Sequence, residues 1–315
     1  MAKRRMKRYS RRTSGPQKRS RAPLIILCVA IFVVLCLAVS VVIGILLKDQ
    51  AENAMDRPRY DFEKIEYQVG NKTVKSIEGY HFSKGSNAYD YYAQGIEDFS
   101  FCLRHYDGSL DHYSSVAEVT GFDAMDSSVS LDGVVDDIKD AGGRACGYFY
   151  VTSFDEQDDK VREVYKAYEL ALISEMADSG IDEIILLGIN VTDENIGEVE
   201  EFLAKAASDA KNVAIGAAVS WDTLMLTEKE TYHAARIKNS CDFLALDLCH
   251  MTVEDTNEGR DEEGNRLPSV FELSISRAQY YLKTYRVRLI FSAAQSSIYR
   301  TALELGIVDF QIVGK

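Results

Sequence analysis

The chain has 315 residues, with 36 Lys or Arg against 49 Asp or Glu, a net charge of −13. Ten of the basic residues fall within the first 21 positions, which leaves 26 basic against 49 acidic beyond them. That acidic balance argues against nucleic acid, and against polyanionic polymers unless a cation bridges them, and favours neutral glycans or basic partners.

Residues 1–22 form a basic tail, and residues 23–47 an uncharged apolar run. At about 1.5 Å per residue the run reaches roughly 36 Å as a helix, enough to cross a ~30 Å hydrocarbon layer with some tilt. The sequence therefore predicts one transmembrane helix, its amino terminus cytoplasmic and the rest outside. The bilayer is the expected partner of residues 23–47, and anionic lipid headgroups that of the tail. A cleaved signal peptide would have a shorter apolar region and a small-residue cleavage site. Residues 48–72 read as a polar stalk, and residues 73–315 as one folded domain.

In that domain short β-rich runs alternate with amphipathic helices. Strands are predicted at Ser76–Phe82, Phe99–Arg104, Ala145–Thr152, Ile184–Leu187, Val213–Val219, Phe243–Leu248, Val287–Ser292 and Ile307–Val313. Between them helices are predicted near Asn87–Gly95, over Ser130–Ala141, from Val161 to a stop at Gly180, and after Thr192. Three more follow at Thr227–Asn239, beyond Pro268, and at Ser296–Leu305. The third is the clearest, with Val161, Val164, Tyr165, Tyr168, Leu172 and Met176 at three- and four-residue steps. Eight strands and seven helices in this order predict an α/β protein, a (β/α)₈ TIM-type barrel lacking the last helix. A doubly wound open sheet is the runner-up.

Two of the six cysteines, Cys28 and Cys36, lie in the apolar run. Cys241 and Cys249 flank one strand, about 25 Å apart at ~3.3 Å per residue, too far to bond. Buried free thiols are expected at Cys102, Cys146, Cys241 and Cys249. No cysteine spacing suggests a zinc site, and no cofactor is expected.

A barrel's chemistry gathers at the carboxyl ends of its strands. Those ends supply Tyr80 and His81; Arg104, His105 and Asp107; Thr152 and Asp155; Asn190; Trp221 and Asp222; Asp247, His250 and Glu254; and Gln295. Asp247, with Asp222 or Asp155, is the expected catalytic pair, since glycoside hydrolysis needs two carboxyls about 5 to 9.5 Å apart. Tyr80, His81, Arg104, Asn190, Trp221, His250 and Gln295 are the expected sugar contacts. Asp222 could equally cap the next helix, and Trp221 plug the barrel mouth.

Some segments resemble a family of glycosyl-hydrolase-like barrels of bacterial envelope proteins. In that family strand 2 ends in Lys-Asp-x-x-Gly with Tyr-x-Ser after it. Here Arg104, His105, Tyr106, Asp107 and Gly108 precede Tyr113, Ser114 and Ser115. The family's strand 4 reads roughly Gly-x-Asp-Glu-Ile-x-Phe-Asp-Tyr-x-Arg, and Gly180, Asp182, Glu183 and Ile184 keep its opening. Leu187 stands at the family's acid and Asn190 at its arginine, while Phe154 and Asp155 keep a Phe-Asp after strand 3. The resemblance implies a membrane-anchored, extracellular barrel that binds envelope glycan with weak or no hydrolysis. The alternatives are an active glycoside hydrolase using Asp247 and a non-catalytic protein-interaction scaffold.

Overall fold

The computed structural model describes residues 39, 64, 66–83, 85–220, 228–281, 287–307 and 309–314. Twelve strands run in chain order: β1 (Glu66–Val69), β2 (Lys72–Lys75), β3 (Glu78–His81), β4 (Asp98–Arg104), β5 (Arg144–Tyr150), β6 (Glu183–Leu187), β7 (Ala214–Ser220), β8 (Phe243–Asp247), β9 (Gly259–Arg260), β10 (Arg266–Leu267), β11 (Val287–Ser292) and β12 (Phe310–Val313). The α-helices among the described residues are α1 (Ala88–Tyr92), α2 (Ser115–Thr120), α3 (Leu131–Asp140), α4 (Asp159–Asp178), α5 (Ile196–Asp209), α6 (Glu228–Ile237), α7 (Val270–Tyr281) and α8 (Ser296–Glu304).

Eight strands, β3 to β8 with β11 and β12, pair in parallel and close into a barrel. Closure is made where β12 pairs β3, with Phe310 opposite Glu78 and Gln311 opposite Gly79. On the other side of β3, Gly79 leaves room for Ser100 of β4, whose Oγ a Cβ would approach to 2.9 Å. Alternate residues face inward and outward along each strand. The outward set packs on the helices as the main core, including Phe99, Leu103, Phe149, Ile184, Leu186, Leu244 and Phe291. The inward set includes Cys102, Tyr148, Ile185, Leu187, Ala218, Ala245, Ile290 and Val313.

The sequence reading is corrected in three places. The transmembrane helix gains no support: no helix among the described residues is long and apolar enough to cross a membrane. The residues predicted to span, 23–47, lie outside the described ones except Val39. The bilayer and headgroup partners, the single-pass localisation and the anchored-protein function are therefore given up. Secondly, the described residues from 66 onward form eight α-helices rather than the seven predicted. The added one, α2, sits in the segment read as a loop, begun by Ser114 accepting from Ala117 N and ended by left-handed Gly121. Thirdly, α4 buries Tyr168, Leu172, Ile173 and Met176, while Val161 and Val164 of the same apolar stripe stay exposed, in the first turns, where Arg162 and Lys166 reach Glu198 of α5 instead.

Residues 66–75, at the predicted stalk boundary, form an antiparallel hairpin that plugs the amino-terminal end of the barrel. Tyr67, Val69 and Val74 pack into the barrel interior against residues such as Ala214 and Phe243. Lys72 is buried and pairs with Asp242 at 2.8 Å. Above the plug lies a buried ionic layer. Arg288 bonds Glu183 at 2.5 Å and Asp309 at 3.0 Å, and its guanidinium lies 4.5 Å from the Phe243 ring centroid. Burial alone would raise the Glu183 pKa, but Arg288 and Arg144 hold it below the ordinary value. Cys102, Cys146, Cys241 and Cys249 are all free thiols, and the first three are buried.

Removing one partner of such a pair strands the other charge, at a cost of about 3–5 kcal/mol. Arg288→Met is expected to lower the urea-unfolding free energy by that amount. Lys205→Met, which breaks the exposed Lys205–Asp209 pair, is expected to leave the unfolding midpoint unmoved.

Candidate functional site

The carboxyl end of the barrel, opposite the plug, holds a cavity of about 460 Å³. Its walls come from the ends of β3, β4 and β5, the start of α3, and Gly314 just past β12. The polar residues lining it include His81, His105, Asp111, His112, Asp137 and Tyr148. Three of the chain's five histidines thus converge on one pocket.

A tight turn after β4 builds half of the site. His105 N donates to Ser109 O at 2.9 Å and Gly108 N to His105 O at 3.0 Å. Asp107 Oδ1 accepts from Ser109 N at 2.9 Å. Gly108 has φ +87°, and a Cβ there would meet Asp123 Oδ1 at 2.5 Å, so only glycine fits. The turn brings residues six apart face to face, with His105 Nε2 3.0 Å from Asp111 Oδ2. An ionised carboxylate can only accept, so Nε2 carries the proton and Nδ1 of the neutral ring is the basic nitrogen.

The closing strands supply the other half. Gly314 N donates to Tyr148 Oη at 2.9 Å, and Tyr148 Oη lies 3.5 Å from His81 Nδ1. With its oxygen accepting from Gly314, the Tyr148 hydroxyl can direct its proton at His81 Nδ1, the arrangement in which Nε2 of a neutral His81 ring carries the proton. Burial first, and then nearby His105, lower the His81 pKa below its ordinary value. His81 is therefore a neutral hydrogen-bond donor at pH 7. Burial pushes the Cys102 thiol up to about 12, so it is no nucleophile at neutral pH.

Asp247 ends β8, half-buried, with Oδ1 accepting from Cys249 N at 2.8 Å. A row of rings stands over the mouth: Tyr148 and Tyr150 meet edge-on at 6.4 Å, and Tyr150 meets exposed Tyr106 at 6.1 Å. Burial, and then the Asp247 carboxylate, raise the Tyr150 pKa, which places Asp247 near that row.

The other expected site residues fare differently. Tyr80 points outward, edge-on to Tyr299 and Phe310, because strand alternation turns it away from its neighbour His81. Arg104 is fully buried and tied to Asp123 at 2.6 Å and Glu169 at 3.0 Å. A register shift between Cys102 and Arg104 turns it onto the outward-facing Phe149 ring. Gln295 braces loops, accepting from Ser292 N and donating to Leu248 O and Met251 O. Asn190, His250 and Asp155 are exposed, with Asp155 on a 3₁₀ turn after β5. Trp221 and Asp222 lie outside the described residues. Sequence reasoning missed Asp111, His112, Tyr148 and Gly314. The signal for the first was the Asp107–Gly108 turn, whose strict geometry makes its flanks meet.

Among the described residues no group of three or more His, Cys, Asp or Glu is placed to hold a metal ion. No protein-family model matches the chain, and no curated protein is significantly similar to it. The resemblance to glycosyl-hydrolase-like envelope barrels therefore stands only at the level of a barrel. Leu187, at that family's acid, is buried inside it.

Solved structures of similar shape include a sugar phosphate isomerase/epimerase from Parabacteroides distasonis, at 13% identity and TM-score 0.43, covering 72% of this chain and 81% of that one. D-psicose 3-epimerase from Clostridium cellulolyticum, with D-tagatose, is 11% identical at TM-score 0.42, covering 74% and 80%. A spore cortex-lytic enzyme of Bacillus cereus is 9% identical at TM-score 0.42, covering 72% and 54%. At such values these likenesses identify no reaction.

A Cβ on Gly314 would lie 2.6 Å from His81 Cε1 and 3.0 Å from Tyr148 Oη. Gly314→Ala is expected to displace both groups while leaving the barrel folded. Far-ultraviolet circular dichroism should be unchanged, while the His81 ring resonances in a proton–nitrogen NMR spectrum should shift.

Proposed function

We propose that the protein is an enzyme that moves a proton on a small, uncharged, polyhydroxylated substrate such as a free sugar, at the carboxyl end of the barrel. The observation that carries this reading is the His105–Asp111 pair at 3.0 Å, set beside a neutral His81 in one cavity. Nδ1 of His105 takes the proton from the carbon next to the sugar carbonyl. The His81 Nε2 proton is donated to the carbonyl oxygen as negative charge develops there. A neutral imidazole suits that role when burial keeps it from charging. Asp111 holds the His105 tautomer and stabilises the imidazolium that forms. The proton held on His105 exchanges with solvent before it is returned; delivered to the opposite face it gives an epimer, and delivered to the neighbouring carbon, while His81 Nε2 takes back the proton of the hydroxyl on the other carbon, it gives an isomer.

Substrate charge follows from the walls. The described lining residues include Asp111 and Asp137 but no Lys or Arg; Lys84, between Ser83 and Gly85 of the lining, lies outside the described residues. Anionic phosphate esters would meet two carboxylates there, whereas hydroxyls find donors and acceptors.

A second reading, glycoside hydrolysis with Asp247 as an acid, is favoured by its half-buried place beside the Tyr148, Tyr150 and Tyr106 rings. Its second carboxyl would be Asp222 or Asp155.

The test incubates the full chain with free hexoses and pentoses in deuterated water, and separately with aryl glycosides. The reading predicts solvent deuterium entering the sugar at the carbon next to the carbonyl. Asp111→Asn should lower that rate by about 10²- to 10⁴-fold, since the amide no longer fixes the tautomer. The rate should not fall between pH 8 and pH 7 on account of His81, whose depressed pKa keeps it neutral there; its loss belongs below its ordinary pKa of about 6.5. Glycoside cleavage abolished by Asp247→Asn, with no exchange into free sugars, would replace this reading with the second.

A further inference from the structure

We infer that His112 reads the substrate, supplying from Nε2 a hydrogen bond to a hydroxyl of an uncharged sugar held beside His105 and His81. The inference rests on the proposed function and names a contact that the reaction itself does not need. His112 is only 3% exposed, yet it lines the cavity. Its Nε2 is buried and has no hydrogen-bond partner among the described residues. Buried polar atoms are nearly always paired, so such an orphan in a pocket wall marks where a ligand group completes the bond.

The backbone around it is fixed on both sides. Leu110 N donates to Ala124 O at 2.8 Å, Asp126 N to Leu110 O at 3.0 Å, and Tyr113 N to Val129 O at 2.8 Å. The backbone that carries His112 is thereby held in place against the cavity wall. Its side chain stands where two carboxylates act on it, Glu175 from α4 and Asp111 from the catalytic pair. Both favour the charged ring, but burial outweighs them and depresses the pKa to about 4. A neutral ring offers one donor and one acceptor, the complement of a hydroxyl. A phosphate group would instead call for fixed positive charge.

The ring is set apart from the proton-transfer steps. Its neighbour Asp111 is taken by His105, and Glu175 is held by Ser114 Oγ, Ser115 Oγ and Ser115 N. Losing Nε2 should therefore weaken substrate binding in ground state and transition state alike, which raises KM and spares kcat.

The experiment compares wild type, His112→Phe and His112→Gln in the deuterium-exchange assay, using free hexoses and pentoses with their phosphate esters alongside. Phenylalanine keeps the packing volume without the nitrogen, and glutamine returns a polar group near the same point. The expected result is a KM about tenfold higher for His112→Phe, with kcat little changed and KM largely restored in His112→Gln. Equal KM for all three proteins would overturn the inference and leave the proposed function standing. A parallel fall in kcat and unfolding temperature in both variants would also overturn it, by making His112 a packing residue. Wild type that exchanges only phosphate esters would overturn the uncharged substrate, and wild type that exchanges nothing would remove the proposed function and this contact together.

Discussion

Everything at the mouth depends on ring closure between β12 and β3. The two strands lie at opposite ends of the described barrel sequence, and their pairing is short, Phe310 with Glu78 and Gln311 with Gly79. That contact sets Gly314 against His81 and lets its N–H reach Tyr148, a residue 166 positions away in sequence. In an open sheet His81 and Gly314 would sit on separate edges, and no pocket would form. The absence of a side chain at Gly314 is what permits the close approach, since a Cβ there would collide with His81 and Tyr148.

The two ends of the barrel are specialised in opposite ways. The amino-terminal end is filled: a hairpin plug, a buried Arg288–Glu183–Asp309 layer and the Lys72–Asp242 pair leave every strong charge matched. Such a layer fixes strand register more than it adds stability, because desolvation offsets most of the attraction. At the carboxyl end imidazoles and phenols stand beside the carboxylates Asp111, Asp137 and Asp247. Burial keeps His81 and His112 neutral and raises the pKa values of Tyr148 and Tyr150. Neutral groups with defined tautomers can donate and accept without the reorganisation that charged ones require. A rigid, charge-matched base thus supports a polar mouth.

Period-two apolar runs and helical stripes are local, so the strands and most helices could be read from the sequence. The short α2 escaped because six residues carry no periodic signal, although its cap residues Ser114 and Gly121 are visible. Site residues were harder. Tyr80 and His81 look equivalent as neighbours at a strand end, yet alternation sends one to the helix layer and the other to the pocket. Arg104 obeys its strand's inward phase in sequence, and a bulge overrules it. Asp111 and His112 lie beyond the strand, in a loop whose path is set by contacts with residues 124 to 129. An apolar run of membrane length is likewise a local property, and no helix among the described residues is long and apolar enough to span a membrane.

The central claim is that one pocket gathers His81, His105 and His112 and takes a free sugar. The most direct measurement is an NMR titration of the five histidine rings with a free hexose. The account predicts that those three rings shift on addition of sugar, while His233, bonded to Asp193 at 2.8 Å, and exposed His250 do not. Shifts confined to His233 or His250, or no shift in any ring across free hexoses and pentoses, would contradict it.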